Sequence, residues 1–440
     1  MFLEDMPWAA SGILIFSLLV LLLLAGMPIA FAMVALGVTG LLFTEGLDIT
    51  LNFVNTQVFH YASKYTFLAF PLFAILVEIL THTGLSSKLI DMAQKTMGRL
   101  PGGLAVVCVG ASTIFGAVCG STLVGTMVMT DTLLPECTKQ NYDRSLIAGT
   151  LAAGGNLSAL IPPSFLLIFW GIIAEISIGD LFMAGIIPGI IIASLFITYI
   201  IIKAKRNPEL APPPPRYTRK EAAISILKGW DLVVIIFVLL YGIYFGVANL
   251  TEIAAVATAF AVVITVAERR LNVSVLYAAL RRAAEMVGSI IFILIGVGVF
   301  MLLLNDLRIP YEIASWVNDA NMSPIVLVIV VQILFFVLGM FIDPMSLILI
   351  CLPLFLPALK AADVDLLWLG IVVSISCMIA NLTPPVGFNL FIVQGAGAPY
   401  GLKFTEVVRG AIPFILLLII GMALVIAIPS LATWLPSTMN

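Results

Sequence analysis

The chain has 440 residues, 62% of them hydrophobic and only 10% charged, with a mean hydropathy of +1.17, where a soluble domain carries about 25% charged residues. A soluble globule is excluded, and at about 20 apolar residues per crossing the length suffices for roughly ten membrane spans. A formal net charge of −3 offers no basic surface for nucleic acid, and five scattered cysteines without a CxxC, beside only His60 and His82, provide neither a disulfide framework nor a zinc or haem site.

The apolar block from Gly12 to Leu24 reads as a first span rather than a secretory signal, because the residues before it include Glu4 and Asp5 and no Lys or Arg. Further apolar runs place spans near 27–43, 67–83, 145–173, 182–203, 231–248, 251–267, 286–304, 365–396 and 411–432. Leu85, Leu89, Met92, Met97 and Leu100, beside Lys88, Asp91 and Lys95, predict an amphipathic helix lying in the interface, with a weaker counterpart over 309–320.

Two apolar stretches, 102–135 and 323–358, are too long for one crossing and are broken near the middle by Gly, Ser or Asp. An arm of about 15 residues is roughly 22 Å long and ends past the midplane of a ~30 Å core, so each stretch reads as a re-entrant hairpin. The segment 204–229, with prolines 212 to 215 and several basic residues, reads as a polar linker.

On either side of this linker the same order recurs: three spans, a hairpin, a span interrupted by an Asn/Pro-Pro segment, and a final span. The fold class expected is an all-α polytopic membrane protein of two repeats, 1–203 and 230–440, each with five crossings and one hairpin. The first holds the broken span 145–173 and the second the broken span 365–396. Five crossings per repeat make the second inverted relative to the first. With the linker cytoplasmic and both termini outside, 18 basic residues fall inside and 3, namely Lys64, Arg308 and Lys360, outside. The positive-inside bias selects that orientation.

The chemistry is expected at the interruptions. The first tip reads Gly120-Ser121-Thr122, and the following span breaks at Asn156-Leu157-Ser158 and Pro162-Pro163-Ser164. The second tip runs from Gly339 to Asp343-Pro344, followed by Asn381-Leu382-Thr383-Pro384-Pro385 and Asn389. Proline pairs forbid regular helix, and backbone released inside a bilayer must be buried in protein or line a cavity. Carbonyls with Ser121, Ser158 and Asn156 make an all-oxygen environment suited to a hard cation such as Na⁺, and the second half repeats it. Asp343 is either a functional carboxylate or the cap of the second hairpin arm. Half-helix amino ends favour an anionic group, for which Thr122, Ser164 and Asn389 are candidate donors, or else ordinary helix-packing residues. Arg409 reads as a carboxylate partner or as an interfacial positive-inside residue.

Taken in order, Phe70-Pro71-Leu72-Phe73, Thr83-Gly84-Leu85-Ser86, Gly120-Ser121-Thr122, Ile161-Pro162-Pro163-Ser164, Ala184-Gly185-Ile186-Ile187-Pro188-Gly189 and Asn381-Leu382-Thr383-Pro384-Pro385-Val386-Gly387 resemble the DctM family. Its members are the large membrane subunits of tripartite ATP-independent periplasmic (TRAP) transporters, and the likeness covers essentially the whole chain. The resemblance implies a sodium-driven, elevator-type secondary transporter of the bacterial inner membrane. It also implies two partners: a DctP-like periplasmic binding protein that delivers a small organic anion, a carboxylate or sugar acid, and a DctQ-like small four-helix membrane subunit. It further implies two sodium sites, one on Ser121, Asn156 and Pro162 and the other on Gly339, Asp343 and Thr383, partly through backbone; Ser158 and Asn381 join them on the oxygen-donor argument. Many members continue the first tip as Gly-Ser-Ser-x-Ala, where this chain has Gly120-Ser121-Thr122-Leu123-Val124. The alternatives at this point are a self-sufficient sodium-coupled carboxylate transporter, an ion channel, and an intramembrane enzyme using Asp343 and Asp131.

Overall fold

The computed structural model describes residues 6–63, 65–212 and 217–439, and every regular element among them is helical. Glu4, Asp5, Lys64, prolines 213 to 215 and Arg216, all used in the sequence reading, lie outside the described residues.

The first half runs α1 (Trp8–Leu24), α2 (Ile29–Thr44), α3 (Leu47–Ser63), α4 (Ala69–His82), α5 (Leu85–Met97), α6 (Gly103–Cys119), α7 (Thr122–Lys139), α8 (Arg144–Asn156), α9 (Phe165–Ala174) and α10 (Ile178–Arg206). After α11 (Arg219–Lys228) the second half runs α12 (Trp230–Tyr244), α13 (Leu250–Ala267), α14 (Val273–Asp306), α15 (Ile309–Asp319), α16 (Pro324–Gly339), α17 (Pro344–Ala361), α18 (Leu366–Asn381), α19 (Phe388–Gly397) and α20 (Phe404–Ala427), with α21 (Ser430–Ser437) at the end. In this order α3 with α4 occupies the place of α14. The latter is one helix of 34 residues, about 51 Å, of which the expected span 286–304 is only the most apolar part.

Two elements differ from the reading of the sequence. α3 is a helix where none is expected, because Asp48, Asn52, Asn55 and Gln57 dilute its hydropathy below a span. α11 lies inside the expected linker, started by a capping box in which Thr218 and Glu221 satisfy each other's backbone amides. Among the described residues five helices, α10, α13, α14, α17 and α20, suffice by length and composition alone to cross a membrane, where the sequence reading expects ten spans.

Most packing falls into two sets. α2, α3 and α4 pack with α13 and α14, while α6 to α10 pack with α16 to α20. Exchanging the halves maps the α2–α14 contact onto α13–α4, and the α9–α17 contact onto α19–α7. A close seam joins α8 to α20: a methyl group on Gly149 would overlap the Gly410 carbonyl, and one on Gly410 the Ser145 carbonyl, so backbone rests on backbone.

α5 buries Leu85, Leu89 and Met92 on one face as expected, and Met97 packs against Gly110 of α6. Its polar face enters an ion cluster that the sequence reading did not assemble. The Lys88 ammonium donates to Asp231 Oδ2 at 2.7 Å and to Glu268 Oε1 at 2.5 Å. Asp231 is fully buried at the start of α12, and Arg270 pairs with Glu268 at 2.9 Å while donating to the Thr83 carbonyl at 3.2 Å. These bonds pin the α4–α5 corner to the second half. Between α7 and α8, Tyr142 accepts a hydrogen bond from the Leu104 amide at 2.9 Å, and burial pushes its hydroxyl ionisation up to about 12.

Candidate functional site

The first tip is the turn between α6 and α7. Gly120 holds a left-handed φ of 64°, its carbonyl accepts from the Phe165 amide at 3.0 Å, and a Cβ there would come 2.5 Å from the Pro163 oxygen. Glycine is required on both counts. Ser121 then caps α7, its hydroxyl accepting from the Val124 amide at 3.5 Å. The tip thus rests on the break in its own half.

That break runs from Asn156 to Ser164. Ser158 donates to the Gly155 carbonyl at 2.8 Å, and Ser164 donates to the Ala159 carbonyl at 2.6 Å while capping α9. The Pro162-Pro163 bond is cis, as is Pro384-Pro385 in the second half. There Asp343 caps α17 by accepting from the Ser346 amide at 3.1 Å, Gly339 abuts Ala380, and Thr383 donates to the Ile379 carbonyl at 2.7 Å. Asp343 therefore does perform the capping role.

The two breaks touch each other. Asn156 donates to the Met378 carbonyl at 2.7 Å, and Asn381 donates to the Asn156 side-chain oxygen at 3.4 Å, so the matching asparagines of the two halves are bonded across 225 residues. Asn389 donates to the Ala152 carbonyl at 3.3 Å, tying α19 to α8. Beside this crossing lies a cavity of about 50 Å³ that both tips line: Ser121 and Thr122 from the first, Asp343 from the second, with Asn381.

Of the residues selected from sequence, these four reach the cavity. Asn156, Ser158, Pro162, Ser164, Gly339, Thr383 and Asn389 lie in the surrounding breaks and arms, with Ser164 and Asn389 bonded to backbone. Arg409 does not join them: it is exposed on the first turns of α20 and does not line the cavity. Leu123, already marked as a departure in the first tip, lines it, and the sequence reading missed Leu166, Met345 and Met378, apolar residues that line it too and carry no signal apart from their neighbours.

The donor set fits a hard, weakly charged cation. Among the described residues no group of three or more His, Cys, Asp or Glu is assembled for a metal ion. Instead, Asn381 Oδ1, Asn389 Oδ1 and the Ser346 hydroxyl are buried with no partner in the protein. Buried oxygens without partners are costly. The hydroxyls of Ser158 and Thr383, which donate to carbonyls, keep their acceptor lone pairs.

Among the described residues, several helices long and apolar enough for a membrane, packed together with two helix breaks between them, define a multi-pass membrane protein. More particularly, residues 16–431 match the family described as the tripartite ATP-independent periplasmic transporter, DctM component, and the chain belongs to that family. It is a transporter component, not an enzyme. The chain is 31% identical over 385 residues to the C4-dicarboxylate TRAP transporter large permease protein DctM of Pseudomonas aeruginosa, covering 87% of this chain and 88% of the relative. It is 31% identical over 423 residues to the ectoine/5-hydroxyectoine large permease UehC of Ruegeria pomeroyi, covering 96% and 97%. To the sialic acid large permease SiaM of Vibrio cholerae it is 28% identical over 418 residues, covering 94% and 96%. Among solved structures, the YdaH transporter of Alcanivorax borkumensis shares the fold, with a TM-score of 0.63 at 13% identity and 91% of each chain covered.

Proposed function

We propose that the chain imports a small organic anion across the bacterial inner membrane, driven by a sodium gradient. It receives that anion from a periplasmic binding protein and works beside a small four-helix membrane subunit. The observation that carries this reading is the cavity between the two tips, flanked by buried oxygens that lack protein partners, in a chain of this family. The first sodium site is assigned to Ser121, Asn156, Ser158 and Pro162, and the second to Gly339, Asp343, Asn381 and Thr383, in part through carbonyls. Thr122, which lines the cavity at the start of α7, takes the substrate carboxylate, and the amino end of that helix adds partial positive charge.

In this reading the halves are inverted repeats, α6–α7 and α16–α17 are re-entrant hairpins, and the set α6 to α10 with α16 to α20 moves against the other set as an elevator. The helix packing divides along that line, with α5 and α15 as connectors. The linker is cytoplasmic and both termini are periplasmic, by the distribution of basic residues.

The test is uptake into liposomes holding this chain and its small subunit, with the binding protein outside. Uptake should follow an inward sodium gradient and require the binding protein. Uptake without that protein favours the self-sufficient carrier, and uptake indifferent to sodium sinks the coupling.

A further inference from the structure

The lining of the tip cavity carries a statement about substrate class, which rests on the proposed transport reading of that cavity. Its lining combines polar Ser121, Thr122, Asp343 and Asn381 with apolar Leu123 and Leu166 from the first half and Met345 and Met378 from the second. No Lys, Arg or His lines it. One carboxylate is provided for, by the Thr122 hydroxyl and the Thr122 and Leu123 amides at the start of α7, the Val124 amide being taken by Ser121.

A second carboxylate is not provided for. With sodium on both assigned sites, Asp343 and one substrate carboxylate balance the two cations, and a second carboxylate would have no cationic side chain among the lining residues to offset it. A chain of hydroxyls fares no better, because each one placed against Leu123, Leu166, Met345 or Met378 gives up water and gains no partner. The unpartnered Asn381 Oδ1, 1% exposed as a residue, is an acceptor and suits a cation beside the substrate rather than a second anionic group.

We infer that the cavity between the two tips takes a compact monocarboxylate with a short, uncharged, apolar body, and discriminates against dicarboxylates and polyhydroxylated acids. The energetic logic is that of a pocket built from one set of donors and a greasy remainder: the acid group orients, and the body is selected by what it lacks.

The test uses the full-length chain in complex with its small membrane subunit, so that the preference of a delivering protein does not enter. The complex is heated in sodium or potassium chloride with isobutyrate, succinate or gluconate at equal concentration. Isobutyrate should raise the unfolding temperature in sodium and not in potassium, while succinate and gluconate leave it unchanged. A rise with succinate or gluconate that equals or exceeds the rise with isobutyrate overturns the substrate class and leaves sodium-coupled transport standing. No rise with isobutyrate also overturns it. Absence of any sodium-driven uptake in the liposome experiment is the separate result that removes the transport reading. A second measurement uses Met345→Lys, which adds the missing cation at a half-buried position. Relative affinity should shift toward succinate by roughly tenfold, and an unchanged preference in the folded variant counts against the inference.

Discussion

The tip cavity and the ion cluster around Lys88 are two prominent polar assemblies of this molecule, and they are made of opposite materials. At the cluster, formal charges meet formal charges: Lys88 faces both Asp231 and Glu268, and Arg270 closes the group. At the cavity, Asp343 is the one charged side chain, and the remaining polar groups are neutral oxygens and amides, some of them unpartnered. A charge satisfied by its partner has nothing left for a ligand and holds elements together. A neutral oxygen left short of a partner retains binding capacity. The difference separates structure from function in a protein with very few charges.

The comparison can be broken in four places. Lys88→Met strands a fully buried Asp231 and leaves Glu268 to Arg270 alone; unfolding measurements should show a loss of about 3–5 kcal/mol. The surviving folded fraction should keep its response to sodium, and a lost response would mean that the cluster takes part in binding. Asn156→Ala removes the bond to the Met378 carbonyl and the acceptor of Asn381. A cost of about 1–3 kcal/mol is expected, together with loss of the sodium-dependent rise in unfolding temperature.

Tyr142 is a control outside both regions. Tyr142→Phe should cost about 1 kcal/mol through the lost bond from Leu104. Because burial raises its ionisation to about 12, the folded state holds the proton more tightly than the unfolded chain, whose tyrosines ionise near ~10. Its contribution is therefore complete below about pH 10 and lost as the pH rises toward 12. The Phe variant should lose stability less steeply over that interval in an alkaline unfolding series.

Asp343→Asn should have the smallest effect on stability, a few tenths of a kcal/mol, since Asn also caps helices. Its sodium response should nevertheless fall. Stability and sodium response changing together would assign Asp343 to capping alone.

Much of the site was legible because its residues are unusual where they stand. Gly120-Ser121, Asp343 and the two Asn/Pro-Pro segments interrupt apolar runs, and the helix breaks fall at those places. Amphipathic spacing announced α5 because a period of 3.6 survives in a short window. What escaped is pairing over distance. Lys88 and Asp231 lie 143 residues apart, and a lone Lys at an interface looks the same in sequence whether it meets water or a buried carboxylate. An acid in the first turn of an apolar helix, as at Asp231, was the available hint. Arg409 had two readings, and its exposed place on α20, away from the cavity, agrees with the interfacial one. α3 escaped because Asn and Gln lower hydropathy without preventing a helix.

The contact of Gly149 with Gly410 bears on how any motion is shared. Helices that slide do so over interlocking side chains, which can change rotamer as the ridges pass. Where two backbones touch there are no such bearings, and α8 and α20 behave as a single spar. α8 ends at Asn156 in the first break, while α20 closes the second half, so displacement of that break carries the other half's closing helix with it. In the proposed mechanism, freedom to shear lies at the boundaries between the two packing sets, and a side chain as small as a methyl group at either glycine would act as a wedge in this seam.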